Sequence, residues 1–456
     1  MPSSLSWFRR SLERQRTKPA AVWHDAELSY GELLDRVDGW RQRLADRGLT
    51  AGDVCAIVGD DSIDACAALL AALLDEMIAV PLCSLSPERY PFCLETAQAQ
   101  AVVDCRDSAI HGLQRTARSA AAPHPLVDSL RSQRAAGLVL FSSGSSGEPK
   151  AVLWDAERLI ARHREVRRAY RTLVFLRLDH IGGINTLFHV LCGGEALVVS
   201  QSRDVDGVCR AIERHRIELL PTTPTFLKML LLSGAVERFD LASLRKITYG
   251  TEAIHPGVLE ALAAALPGVD FKQTYGLSEL GILATQSRQR DSVWLKLGGE
   301  GVETRVVEGQ LWIRTASAML GYLNHPSPFD ADGWFNTRDA VEIEGEYMRI
   351  LGRTSEIINV AGEKVYPAEV EDVLLAAGNV REAAVCGRSN PITGQVVTAR
   401  VSLVDPEPQH AAQRRLIAFC RGKLAPFQVP ILIEFTSECL HTERGKTVRR
   451  SDGMAA

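Results

Sequence analysis

Residues 138–154 read Leu-Val-Leu-Phe-Ser-Ser-Gly-Ser-Ser-Gly-Glu-Pro-Lys-Ala-Val-Leu-Trp, and this stretch constrains the chain more than any other. An apolar run from Leu138 to Phe141 gives way to small or turn-forming residues from Ser142 to Pro149, after which apolar residues resume. The pattern is strand, loop, strand. Ser142, Ser143, Ser145 and Ser146 supply hydroxyls, and Gly144 and Gly147 let the backbone approach a ligand closely. Successive amides in such a loop form an anion nest, and Lys150 adds a positive charge, so the expected guest is a polyphosphate. The order GxxxxGK[ST] is absent, so this is not a Walker A loop. The competing reading is a Gly/Ser hairpin turn without a ligand.

A chain of 456 residues suggests two or three sub-domains. Its net charge of -4 gives no basis for nucleic-acid binding, which wants a basic surface. The longest nearly unbroken apolar run, Ala65 to Leu74, stops at Asp75 and Glu76 and is too short to span a membrane. The first residues lack the apolar core of a signal peptide. Ten cysteines without CxxC pairs point to reduced thiols and a cytoplasmic location rather than zinc ribbons.

Along the first part of the chain, Ser29 with Glu32 forms a candidate capping box opening a helix. Strands at 54–58 and 78–82 flank an alanine-rich helix from about Ser62 to Leu74, a βαβ unit, and 101–104 continues the alternation. The basic run 162–171 reads as a solvated helix face. Residues 217–226 read as a strand and a Thr/Pro turn, with Thr223 or Thr225 capping the next helix.

Taken in order, the phosphate-type loop is followed by Asp179-His180-Ile-Gly-Gly183, Gly250-Thr251-Glu252, Thr274-Tyr275-Gly276-Leu-Ser278-Glu279, Gly333-Trp-Phe-Asn-Thr-Arg-Asp339, Gly352-Arg353, Val365-Tyr-Pro-Ala-Glu-Val-Glu371 and Gly445-Lys446. This series resembles the adenylate-forming enzymes: acyl- and aryl-CoA ligases, peptide-synthetase adenylation domains and luciferases. The 365–371 segment is most similar in style to the CoA ligases. The resemblance implies an α/β fold with a large N-terminal domain of βαβ layers plus a small β-barrel (residues 1–353), and a small mobile α+β C-terminal domain (354–456).

It also implies roles. Tyr275 would face adenine, Gly276 would let the backbone pass beside the nucleotide, and Gly250, Thr251, Glu252 and Thr274 would wall the adenine and acyl pockets. Ser278 would reach the α-phosphate, and Glu279 would supply a hard oxygen for Mg²⁺. Asp339 would take the ribose hydroxyls, with Arg353 as a second ribose or phosphate contact. His180 would line the carboxylate pocket with Asp179, Gly183, Ile184, Gly250 and Ile282. Two positions depart from the family pattern: Arg338 replaces the usual glycine, and Ser355 stands at the hinge where Asp or Lys is usual. Gly362 matches the glycine beside the pantetheine arm, and Lys446 matches the catalytic lysine.

The implied activity uses ATP, Mg²⁺ and coenzyme A. A small-molecule carboxylic acid, aromatic slightly favoured over fatty, becomes an acyl-adenylate and then a CoA thioester. The alternatives are transfer to the phosphopantetheine of an acyl carrier protein, or a non-catalytic acyl-adenylate or nucleotide binder.

Overall fold

The computed structural model describes residues 5–59, 62–83, 87–105, 111–115, 123–142, 148–165, 168–200, 202–254, 256–299, 301–441 and 447–449. Two seven-stranded sheets enclose a layer of helices. The first runs, edge to edge, Gly321–Tyr322, Lys150–Asp155, Gly137–Ser142, Ile78–Leu82, Val54–Val58, Ala101–Asp104 and His111–Arg115. Its central strands are parallel, because the connections between them are helical crossovers. The helix Ile63–Leu74, buried along nearly its whole length and capped by Ser62, is one such crossover.

The apolar run 138–141 owes its lack of alternation to burial on both faces. Leu138 and Leu140 face the core shared with the helix layer, whereas Val139 and Phe141 face a second core on the other side. Val152 and Trp154 of the return strand join the former, Ala151 and Leu153 the latter. Burying such side chains contributes roughly 1.5–3 kcal/mol each, so the two strands bracketing the phosphate-type loop are held rigidly.

The second sheet is ordered Asp270–Gln273, Lys246–Tyr249, Leu219–Thr222, Thr172–Leu173, Leu197–Val198, Pro19–Trp23 and Ala26–Ser29, and is parallel except for the closing hairpin. The helix Tyr30–Asp46 begins at the expected capping box: Ser29 N donates to Glu32 Oε2 at 2.7 Å and Glu32 N to Ser29 Oγ at 3.2 Å. Thr223 caps the helix Pro224–Leu232, which leaves Thr225 for another role.

The third sheet is wholly antiparallel: Tyr275–Leu277, Gly281–Ser287, Leu295–Gly298, Tyr347–Arg353, Phe335–Glu344, Gln310–Thr315 and Val302–Val307. The expected small barrel is not borne out: among the described residues no pairing joins the end strands Tyr275–Leu277 and Val302–Val307. After the turn Thr354–Glu356 comes a five-stranded sheet with its own apolar core, built around the long hairpin Val380–Asn390 and Gly394–Leu403 and backed by the helices Pro367–Leu375 and Gln409–Arg421.

The reading of 162–171 as a solvated helix face is corrected for Arg162 and His163, whereas Arg164 and Arg168 are exposed and residues 166 and 167 lie outside the described residues. The helix Ala156–Ala161 stops before the basic run. Arg162 folds inward and donates to the Ile282 carbonyl, and to Ser317 Oγ at 3.3 Å. His163 is buried edge-on against His189 at 5.9 Å, and burial pushes its imidazole down to about 3. Charge composition is a poor guide where a helix ends early and its next residues turn into the core. Among the described residues no helix is long and apolar enough to cross a membrane.

Candidate active site

Several strand ends and turns bring the sequence-predicted residues together. Ser142 ends its strand paired directly with Lys150, and this pair fixes the base of the phosphate-type loop. Asn324 braces the exit: its Oδ1 accepts from Ala151 N and its Nδ2 donates to Pro149 O, both at 2.9 Å. Ser143, Gly144, Ser145, Ser146 and Gly147 lie outside the described residues, as does Lys446.

Tyr275–Leu277 and Gly281–Ser287 form a hairpin whose tip carries Ser278 and Glu279. The tip is anchored twice. Trp154 Nε1 donates to Ser278 O at 3.0 Å, and Met319 N to Glu279 O at 2.9 Å. At the hairpin base, Gly276 faces Ile282, and a Cβ there would sit 2.6 Å from the Gly281 carbonyl oxygen. The close strand approach therefore requires this glycine before any nucleotide is considered. Ile282 is partly buried against the central core.

Two polar chains converge on the hairpin. In one, the Tyr275 hydroxyl donates to Asp339 Oδ2 at 2.5 Å, and Arg353 Nε lies 3.6 Å from Asp339 Oδ1. Asp339 and Arg353 are register partners on adjacent strands, and Thr337 Oγ1 accepts from Asp339 N at 3.1 Å. Burial, reinforced by the Asp339 charge, holds the Tyr275 phenol well above its ordinary value, so it stays a donor. In the other chain, the Tyr322 hydroxyl donates to Glu279 Oε1 at 2.6 Å while Lys150 Nζ lies 5.2 Å above the Tyr322 ring. Burial and then the Glu279 charge raise the Tyr322 phenol. Tyr322 thereby orients the Glu279 carboxylate, a hard oxygen donor whose chemistry fits a cation such as Mg²⁺.

Sequence reasoning missed Tyr322. Nothing local marks it, and its position follows from the antiparallel register Tyr322↔Val152, next to the strand that leaves the phosphate-type loop.

Gly250 is accounted for by close packing, since a Cβ would lie 2.6 Å from Thr274 Oγ1 and 2.8 Å from its carbonyl oxygen. Thr274 in turn donates to Tyr249 O through both N and Oγ1, at 2.7 and 3.1 Å. Thr251 takes a left-handed φ of 75°. Glu252 Oε2 accepts from Thr225 Oγ1 at 2.6 Å, and Oε1 from Thr447 N at 2.8 Å. The residue following Lys446 is thus tied to Glu252.

His180 caps the helix Ile181–Gly193, its Nδ1 accepting from Gly182 N at 3.0 Å, which leaves Nε2–H as the donor. Asp179 beside it is buried. A Cβ at Gly183 would meet the Arg177 carbonyl oxygen at 1.9 Å, so close packing of helix against loop by itself requires a glycine there. Ile184 is fully buried in the central core.

Ser355 is exposed in the turn Thr354–Glu356. Gly362, with φ of 93°, shares the tight turn of the hairpin Ile358–Val360/Glu363–Val365 with Ala361, and its N–H donates to Asn359 Oδ1 at 2.9 Å. The turn itself favours glycine; no heavy atom of the described residues crowds the position.

Arg338 also adopts a left-handed φ, 59°, with its N–H on Asn336 Oδ1 at 2.8 Å. A non-glycine residue there costs roughly 1–2 kcal/mol, partly offset because glycine loses more chain entropy on folding. Arg338→Gly is therefore expected to stabilise the protein by about 0.5–1 kcal/mol, read as a rise in the denaturation midpoint. A fall would show that the arginine side chain holds the turn.

A cleft of about 650 Å³ shares no residue with this set; it is lined by Asp38, Arg41, Asp75, Glu76 and Arg134 among others. Its charges are paired with one another, as in Arg41–Asp75 at 2.6 Å and Arg134–Glu76 at 3.2 Å. The polar convergence therefore marks the candidate site better than this cleft does.

The described geometry is that of an adenylate-forming α/β fold. The solved structure of an anthranilate CoA ligase in complex with anthranoyl-AMP superposes with a TM-score of 0.83 at 20% identity, covering 98% of this chain and 95% of that one. The o-succinylbenzoate CoA synthetase of Bacillus subtilis with its acyl-adenylate gives 0.78, also at 20%, over 99% and 98%. The family model for AMP-binding enzymes matches residues 8–323, and that for the AMP-binding enzyme C-terminal domain matches 369–446. The chain belongs to the AMP-binding enzyme family.

Among its relatives, an indoleacetate–CoA ligase of Aromatoleum aromaticum is 30% identical over 69% of this chain and 66% of its own length. A 2-succinylbenzoate–CoA ligase of Bacillus licheniformis is 25% identical over 97% and 98%. The chain spans 66% and 60% of the length of the first curated relatives it matches.

Proposed function

We propose that this protein activates a carboxylic acid, aromatic in preference to fatty, as its acyl-adenylate with ATP, and then transfers the acyl group to coenzyme A. The observation carrying this reading is the convergence of the Tyr275–Asp339–Arg353 and Lys150–Tyr322–Glu279 chains on one hairpin that faces the phosphate-type loop's strands. The named aryl substrates of several relatives support the aromatic preference.

In the first half-reaction a carboxylate oxygen attacks the α-phosphorus of ATP, the bond to the β-phosphate oxygen breaks, and pyrophosphate leaves. Asp339 accepts the ribose hydroxyls, Tyr275 lies against adenine, and Ser278 donates to the α-phosphate. Gly250, Thr251, Glu252 and Thr274 wall the pocket, and His180 Nε2–H with Asp179 orients the acid. Mg²⁺ held by Glu279 would screen the triphosphate charge. Lys446 stabilises charge as the acyl–phosphate bond forms.

In the second half-reaction a thiolate attacks the acyl carbon and AMP departs, giving the thioester. The segment from 354 onward would turn about Ser355, withdrawing Lys446 and presenting Gly362 to the pantetheine arm. Residues 1–353 and 354–456 then act as two domains, and the reduced cysteines suit a cytoplasmic enzyme.

The test is acid-dependent pyrophosphate release across aromatic, fatty and amino acids, followed by product identification with CoA and with a phosphopantetheinylated carrier protein. Release with aryl acids and a CoA thioester bears the reading out. Thioester on the carrier alone reassigns the acceptor, and ATP binding without release for any acid leaves a nucleotide binder.

A further inference from the structure

Residues 442–446, which end in Lys446, are bracketed by unusually committed neighbours. On the near side, Leu440 N donates to Glu382 Oε2 at 2.6 Å, and His441 Nδ1 lies 3.3 Å from Glu382 Oε1. His441 and Thr447 pair as a bridge, and Val448 N donates to Leu440 O at 2.7 Å. On the far side stands Arg449. Its Nε and Nη2 engage both oxygens of Glu371 at 2.7 Å each, and its Nη1 reaches Glu356 at 2.5 Å.

Glu371 is only 3% exposed and is itself fixed, because Oε1 also accepts from Val385 N at 2.9 Å. A bidentate, buried guanidinium–carboxylate pair defines position and direction together. Glu356 belongs to the turn Thr354–Glu356 that contains Ser355. One side chain therefore joins three places: the residues just after the lysine, the helix Pro367–Leu375, and the turn where the hinge is placed.

We infer that Arg449 is a positioning residue: it pins residues 447–449, which follow Lys446 in the chain, to Glu371 and Glu356, and so holds Thr447 on Glu252 when the 354–356 turn is in the orientation seen here. The inference rests on the acid-activating reading above. Its side-chain partners here are Glu371 and Glu356, and it acts through the backbone of 447–449. Thr447 N, two residues away, makes the 2.8 Å hydrogen bond to Glu252, which Thr225 holds from its other oxygen. A shift of about an ångström at a catalytic group costs up to a hundredfold in rate, and freeing this segment permits such a shift.

The test pairs Arg449→Met/Glu371→Gln with Glu356→Gln and Arg449→Lys. In the double variant both buried charges go together, and the introduced amide oxygen still accepts from Val385 N, so the sheet keeps its core. The full-length proteins are compared by hydrogen exchange at the Thr447 and Val448 amides and by the two half-reactions measured separately. In the double variant exchange at those amides is expected to rise about tenfold or more. The kcat for pyrophosphate release should fall about 10–100-fold, and KM for ATP and thioester formation from supplied acyl-adenylate should change by less than about twofold.

Glu356→Gln should give a smaller loss in the same half-reaction, and Arg449→Lys, which keeps the charge without the fork, an intermediate one. Unchanged exchange, or equal losses in both half-reactions, overturns the inference. A wild-type protein that releases no pyrophosphate with any acid refutes the acid-activating reading instead, while amide exchange still reports on the pin.

Discussion

Replacing Lys446 with alanine is expected to lower kcat for pyrophosphate release about 10²–10³-fold, the equivalent of roughly 2.7–4 kcal/mol of transition-state stabilisation. Thioester formation from supplied acyl-adenylate should be spared. The ammonium is needed only while the carboxylate oxygen and the α-phosphate, both anionic, are forced together, so its loss falls on kcat rather than on KM for ATP. The following residue, Thr447, is hydrogen-bonded to Glu252 on the proposed pocket wall. Measuring each half-reaction by itself decides the matter. Equal loss in both contradicts the assignment of the lysine to one orientation of the segment after 354.

The second large effect is expected at Asp339. The carboxylate is 6% exposed, accepts from the Tyr275 phenol, and faces Arg353. Asp339→Asn keeps an acceptor for that phenol and the shape of the strand but removes the charge that a vicinal diol and a guanidinium both seek. Hydrogen bonds to charged groups are worth about 1.5–3 kcal/mol, so KM for ATP should rise roughly 10–150-fold, with the thermal midpoint little changed. Alanine is the less informative variant, because it strands the buried Tyr275 hydroxyl and mixes folding with binding. An unaltered KM in the Asn variant would remove Asp339 from the ribose site.

Much of this architecture could be read from the residues. The strand at 138–142, the βαβ unit at 54–82 and the capping box at Ser29 are local patterns, and the structure reproduces them because each is satisfied within a few residues. The site residues were legible as types in order, but their pairings were not. Tyr275 and Asp339 are 64 positions apart, and only the antiparallel third sheet brings hydroxyl to carboxylate. Tyr322 was invisible for the same reason.

Glycines gave partial information. Gly183, Gly250 and Gly276 stand out in the sequence, and close packing that leaves no room for a side chain accounts for each without a ligand. The basic run after Ala161 misled because composition cannot show that Arg162 and His163 turn inward where the helix ends. The helix Ser6–Glu13 left no distinct mark either, although Phe8 and Leu12 are fully buried in the central core.

The central claim is that these separated segments bind one nucleotide. It is tested most directly by a crystal structure obtained with ATP, Mg²⁺ and a carboxylic acid that supports turnover. The account predicts adenine against Tyr275, ribose hydroxyls on Asp339, and the α-phosphate beside Ser278 with the metal on Glu279. A nucleotide bound elsewhere, for example in the cleft between Asp38 and Arg134, would contradict it.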